Sequence, residues 1–216
     1  MLTSLLRGLL VAVLVHLPGQ TRADGEAAGN FDYYILSLSW SPTWCATTGD
    51  AREDDQCDPR RDHAFTLHGL WPQYESGWPS YCRTPMREAT RDETAAMADI
   101  MGSPGLAWYE WKKHGRCSGL AARDYFTLSR QAYARVAVPD AFLNLRKDVT
   151  LPASVVEEAF LEANPGLTAP MITITCDQGR IQEARICLTH DLAFRPCGLD
   201  VARDCRMKNA LMEAVR

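Results

Sequence analysis

Positive charge is in short supply. The chain of 216 residues carries 23 Lys and Arg against 27 Asp and Glu, a formal net charge of −4. Its cations form no run that reads as an RNA-binding tract. A protein coated in basic residues for bulk nucleic-acid binding is thereby excluded, though a local basic site is not. Beyond residue 23, no segment approaches the roughly 20 apolar residues that a membrane helix needs. There is no internal repeat or low-complexity tract, so solenoids and disordered arrays fall away. No two cysteines stand at the C-x-x-C spacing common in structural zinc sites. None of Asn30, Asn144, Asn164 and Asn209 begins an N-x-S/T acceptor, which fits a bacterial exported protein better than a glycosylated one.

What is present begins with residues 1–23. Arg7 gives a positive start, Leu9 to Leu17 form an apolar run broken by His16, and Thr21-Arg22-Ala23 offers small residues for cleavage. This is the pattern of a secretory signal peptide cut after Ala23. The run is too short to span a bilayer, and Pro18-Gly19 ends it. Removal takes two of the 23 cations and none of the 27 acids, leaving a charge of −6. Eight cysteines follow: Cys45, Cys57, Cys82, Cys117, Cys176, Cys187, Cys197 and Cys205. An even count in an exported chain favours four disulfides over a metal site. Spacing alone selects none of the many possible pairings.

From Asp24 to Arg216 the chain reads as one domain. Phe31 to Trp40 alternate, with Tyr34, Leu36, Leu38 and Trp40 on one face, which predicts a strand with one well-buried side. Residues 46–63 are polar and read as a loop. His63 to Leu70 form a second strand, expected to end at Gly69 and Trp71-Pro72. Residues 88–101 look helical. Ser103-Pro104 then caps a short helix that runs to His114 and stops at Gly115. More helix is expected over Ala121 to Val136 and Ser154 to Ala163, and a hairpin over Met171 to Cys176 and Arg180 to Leu188. Strands at both ends with helices between them indicate an α+β domain, with a central, mainly antiparallel sheet flanked by helices.

Four histidines remain after the leader: His63, His68, His114 and His190. On the short helix, Glu110, Lys113 and His114 stand at i, i+3 and i+4. At ~100° per residue they share one arc, while Trp108 and Trp111 point elsewhere. An acid, a cation and a titratable imidazole are presented together, although surface Glu–Lys and Glu–His pairs have the same spacing. A zinc hydrolase is excluded by register: H-E-x-x-H needs a histidine directly before the glutamate, and Tyr109 stands there. His68, on the face of Ala64 and Thr66, would pass for a structural histidine if taken alone.

The wording around both histidines says otherwise. FTLHGLWPQ (Phe65 to Gln73) and YEWKKHGRC (Tyr109 to Cys117) resemble the two active-site segments of the ribonuclease T2 family, acid endoribonucleases of periplasm, vacuole, lysosome and secretions. FDYYILSLSWSPTWC and the late cysteines extend the resemblance over nearly the whole mature chain. The resemblance implies that His68 and His114 are the general acid and base, with Glu110 and Lys113 assisting at the phosphate. It implies that Trp71 lies beside a base-binding pocket, with Gln73 and Tyr109 at substrate-contacting positions. It also implies the pairings Cys45–Cys57, Cys82–Cys117, Cys176–Cys205 and Cys187–Cys197.

Two departures matter. Tyr109 replaces a histidine that contacts phosphate in the family, and it carries no positive charge at working pH; weaker phosphate attraction is expected, without loss of activity. Gln73 stands where some members carry an acid that contacts the base, so base preference is open. His63 and His190 are assigned structural or surface roles, and Trp40, Trp44, Trp78, Trp108 and Trp111 are assigned to the core.

The chemistry suits these residues. RNA supplies its own nucleophile, the 2′-hydroxyl, and needs one group to remove its proton and another to protonate the departing 5′-oxygen. Two imidazoles can do both near mildly acidic pH. The expected protein is an exported, periplasmic or secreted endoribonuclease of low base specificity, a monomer acting on RNA with no cofactor, metal or membrane. His114 is expected as base and His68 as acid in the first step. Glu110 either orients His114 or polarises the phosphate. The rival reading is an exported, disulfide-rich binding protein that keeps the scaffold without turnover.

Overall fold

The computed structural model describes residues 25–216; the expected leader lies outside the described residues. Strand β1 (Tyr33–Trp40) runs directly into a helical turn, α1 (Ser41–Trp44). Strand β2 (Phe65–Gln73) follows, then α2 (Arg91–Ala95), α3 (Ala98–Met101), α4 (Pro104–Lys113), α5 (Ala122–Arg135) and α6 (Asp140–Leu143). The chain closes with β3 (Val149–Leu151), α7 (Ala153–Ala163), β4 (Ile172–Asp177), β5 (Arg180–Leu188) and β6 (Ala210–Met212). The result is a single α+β domain. Its sheet is ordered β2-β1-β5-β6-β3, with β4 also paired to β5. Every pairing is antiparallel except β5 with β6, which meet in parallel at Arg180 and Leu211.

Local sequence accounts for most elements. Thr90 and Glu93 form a capping box at α2, each side chain taking up the other's free backbone N–H. The Ser103 hydroxyl accepts from Leu106 N at 3.2 Å, and Pro104 starts α4 where its missing N–H costs nothing. Gln178 and Gly179, both at positive φ, close the β4–β5 hairpin in two residues, the twist that antiparallel strands favour. Residues 88–101 break into α2 and α3 instead of one helix. The stretch 46–63, expected to be a loop, is wound into helical turns at Cys45–Gly49, Asp50–Arg52 and Asp55–Cys57.

Two strand expectations need correction. β1 is buried on both faces, not one. Leu36, Leu38 and Trp40 enter the main core with Trp111, Tyr125 and Phe160, while Tyr33 and Ile35 pack on the opposite face with Trp71 and Cys187. The reason is a second covering layer: Trp71, the Cys187–Cys197 segment and Val201 pack over Tyr33 and Ile35. β2, for its part, does not stop at Gly69 but continues through Trp71 and Pro72 to Gln73. It is an edge strand, so a proline can sit in it with its missing N–H on the unpaired side.

The β1–β2 ladder also slips. Ser37 pairs with Gly69 and Leu38 with Leu67, which leaves His68 as an extra residue in a bulge. A bulge bends its strand and re-aims the side chain it carries. His68 stays on the face of Thr66, with which it lines one depression, and the strict alternation breaks only after it, at Gly69.

All eight cysteines are paired, in the disulfides Cys45–Cys57, Cys82–Cys117, Cys176–Cys205 and Cys187–Cys197. Cys82–Cys117 spans 35 residues and ties the segment before α2 to the turn after α4. Tyr81 N donates to Lys113 O at 2.8 Å alongside it. Loop closure of that length restricts the unfolded chain by roughly 4 kcal/mol. Replacing Cys82 and Cys117 together by serine should lower the unfolding free energy by about that amount in urea titration, with the other three bridges intact.

Candidate active site

Three separated segments build one cleft. β2 contributes His68, Trp71 and Gln73, the end of α4 contributes Glu110, Lys113 and His114, and β5 contributes Glu183 and Arg185. Together with Trp78 and Asp200 they line a cavity of about 330 Å³. The helical arc of Glu110, Lys113 and His114 thus faces the bulged strand, and Trp111 points the other way into the core, fully buried. A second depression, of about 390 Å³, lies on the other side of His68, lined by Arg52, Gln56, Thr66, Leu106 and Tyr109 among others. His68 belongs to both.

Trp71 organises the cleft. Its Nε1–H donates to Glu110 Oε2 at 2.6 Å, its ring stacks on His114 at 5.1 Å, and His68 meets it edge-on at 5.1 Å. The Arg185 guanidinium lies 5.3 Å from the same ring. With that many neighbours Trp71 keeps only 8% of its surface exposed. Gly69 makes the arrangement possible: a Cβ there would sit 2.2 Å from Glu110 Oε2 and 2.4 Å from Trp71 Nε1. Close approach, not backbone freedom, requires the glycine.

The two imidazoles stand in opposite electrostatic settings. His114 is 5% exposed, and its Nδ1 is buried without a hydrogen-bond partner. Burial, with the neighbouring Lys113 charge and then that of His68, pushes its pKa down to about 3. His68 keeps 31% of its side chain exposed; its Nδ1 meets Glu183 Oε1 at 2.5 Å and its Nε2 lies 3.6 Å from Glu110 Oε1. Burial pulls its pKa down, but the hydrogen bond and charge of Glu183, with the Glu110 charge, outweigh this and leave it raised. Of the carboxylates, Glu110 is raised because burial dominates the pull of His68 and Trp71. Glu183 resists burial and falls to about 2, held by His68 and Arg185.

Several expectations meet their positions here. His68, Glu110, Lys113, His114, Trp71 and Gln73 all line the one cleft, whereas Tyr109 faces the neighbouring depression. The Lys113 ammonium lies 5.5 Å from the Tyr109 ring. His63 and His190 are elsewhere; His190 stacks on Phe31 and its Nε2 contacts Asp32 O. Trp78, assigned to the core, is 58% exposed at the cleft, and Trp108 is also exposed. Among the described residues, the one group with metal-ligand spacing is Cys45, Asp50 and Cys57, and its two sulfurs are bonded to each other.

Glu183 and Arg185 were not singled out from the sequence. They lie two apart on β5 and therefore on one face. Their register partners on β1 are Ser39 and Ser37, small residues over which a long side chain can pass to β2. The available signal was an acid and a base two apart in a strand that also carries Arg180 and Gln182, which reads equally as a solvent face until the pairing of β5 with β1 is known.

Residues 31–197 match the Ribonuclease T2 family. A ribonuclease of Aeromonas hydrophila is 44% identical over 108 residues, 50% of this chain and 47% of that protein, so the chain spans about half the length of that relative. Ribonuclease S-2 of Antirrhinum hispanicum is 29% identical over 91% of this chain and 84% of its own. The solved structure of trichomaglin, described as an S-like ribonuclease, superposes with a TM-score of 0.66 at 20% identity, over 87% of this chain and 100% of its own. A matched region running from β1 past β5, with both histidine segments inside it, establishes that this chain belongs to the ribonuclease T2 family.

Proposed function

We propose that this protein is an exported, monomeric endoribonuclease that cleaves single-stranded RNA by attack of the 2′-hydroxyl on the adjacent phosphate. The products are a 2′,3′-cyclic phosphate and a 5′-hydroxyl end, and the cyclic phosphate then opens to a 3′-phosphate. One observation carries this reading: a single cleft presents two imidazoles with opposite proton preferences. His114, held neutral, takes the 2′-hydroxyl proton. His68, held protonated, delivers a proton to the 5′-oxygen as its bond to phosphorus breaks. In the second stage water replaces the 5′-hydroxyl and the two exchange roles.

Other features support the same reaction. Lys113 supplies positive charge where the phosphate oxygens gather negative charge. Burial raises the Glu110 carboxyl, and its oxygens meet Trp71 Nε1 and His68 Nε2 at the cleft, not the His114 ring. This favours action at the phosphate over orientation of His114. The depressions on either side of His68 provide for the nucleotides flanking a scissile bond. Exposed Trp78 offers a stacking face that any base can use, consistent with low base specificity. Four disulfides favour an oxidising compartment outside the cytosol, and no described helix is long and apolar enough to cross a membrane. No step calls on a metal, and DNA, lacking the 2′-hydroxyl, is not cut.

Purified protein incubated with RNA in excess EDTA should yield 5′-hydroxyl and cyclic-phosphate ends. Intact RNA would leave the binding-protein reading standing, and activity restored only by zinc would point to a metallohydrolase. His68→Ala and His114→Ala should each lower kcat/KM by about 10²–10⁴-fold, the usual contribution of positioned proton transfer.

The pH profile follows from the two shifts. The active form needs His114 deprotonated and His68 protonated, so kcat/KM should rise as pH passes about 3. It should fall only above the ordinary histidine value of 6.5, because His68 is raised. Activity that keeps rising on the alkaline side of His68 would overturn the need for a protonated His68. Tyr109→His, which adds a cation beside Lys113, should lower KM for RNA several-fold at pH 5 and change kcat little.

A further inference from the structure

We propose that Glu183 is the positioning residue for His68, fixing the ring through Nδ1 so that Nε2 faces the scissile phosphate, with Arg185 clamping Glu183 in place. The inference rests on the proposed role of His68 as proton donor. It concerns two residues that lie more than 60 positions beyond either histidine motif.

The geometry is that of an oriented imidazole. Glu183 is 2% exposed, and its two carboxylate oxygens are divided between two partners. Oε1 takes His68 Nδ1 at 2.5 Å, and Oε2 takes Arg185 Nε at 2.8 Å and Nη2 at 2.6 Å. A buried carboxylate that accepts a hydrogen bond from one ring nitrogen sets the tautomer and leaves the other nitrogen for chemistry. Here the proton leaves Nε2 for the 5′-oxygen while the Nδ1 proton stays toward Glu183. The Trp71 edge contact and Glu110 lie elsewhere on the ring, so without Glu183 the Nδ1 side of a bulged, partly exposed residue would have no partner.

The other charged groups around His68 do not duplicate this contact. From α4, Glu110 lies on the Nε2 side, and Lys113 and His114 add positive or neutral character to the same cleft. Arg52 and Asp54 line the depression on the far side. From β5, Arg185 is cationic and opposes protonation of His68, so its favourable effect runs through Glu183. The two ends of the Arg185 guanidinium contacts, carboxylate on one side and Trp71 ring on the other, tie β5 to the ring that also stacks on His114.

Glu183→Gln is the informative change. Its amide oxygen can still accept from Arg185, but the amide nitrogen then faces Nδ1 and cannot stabilise an imidazolium. On RNA, kcat/KM should fall on the order of 10²-fold, mainly in kcat, and the alkaline limb of the pH profile should move to lower pH. With a nucleoside 3′-(4-nitrophenyl phosphate), whose leaving group needs no protonation, the same variant should lose only a few-fold. An unchanged limb, or equal losses on both substrates, overturns the proposal while leaving the ribonuclease reading intact if wild type cleaves RNA; wild type inert on RNA overturns both. An NMR titration of His68 in the wild-type protein gives an answer even if the variant fails to fold. A midpoint above 6.5 is expected, and one at or below it sinks the role of Glu183.

Discussion

The central position of β1 is the constraint on which the cleft depends. This strand pairs with β2 on one side and β5 on the other, and adjacent strands lie about 4.8 Å apart. Side chains on β2 and β5 can therefore meet only by reaching across it. Ser37 and Ser39 make that possible, since larger residues there would separate Glu183 from His68. The opposite face of β1 carries Leu36, Leu38 and Trp40 into the main core, so the strand that leaves room for the site also anchors the fold.

Surroundings, not residue type, set the two histidines apart. His114 is walled in by Trp71 and lies beside a lysine, so charge on its ring is opposed. His68 lies between two buried carboxylates, and charge on its ring is welcomed. An overall acidic chain is consistent with this arrangement, because what matters to a phosphate is the handful of groups within a Debye length of the cleft. Lys113 and Arg185 supply local cations where Tyr109 supplies none.

Legibility in the sequence followed the range of the interactions. The helix α4, its Ser103-Pro104 start and the alignment of Glu110, Lys113 and His114 depend on neighbours within a turn or two, and they were readable. The hairpin at Gln178-Gly179 was readable for the same reason. The bulge at His68 was not, because it exists only in the register between β2 and β1. The passage of β2 through Pro72 likewise depends on its place at the sheet edge, and the double burial of β1 and the exposure of Trp78 depend on which distant segments pack over them.

By itself the sequence set out the candidate groups: two histidines in two tryptophan-rich segments, a lysine and a glutamate on one helical arc, and an even number of cysteines able to staple the domain. The shared arc of Glu110, Lys113 and His114 could be read because covalent spacing and short-range periodicity set it; their catalytic roles were implied only by the likeness of both segments to a family. Tertiary structure alone decided which nitrogen of His68 meets Glu183, in which direction the surroundings shift each imidazole, and that Glu183 and Arg185 line the cleft. Those properties arise from burial and charge, and the groups responsible come from strands 115 residues apart that approach only when the sheet has formed.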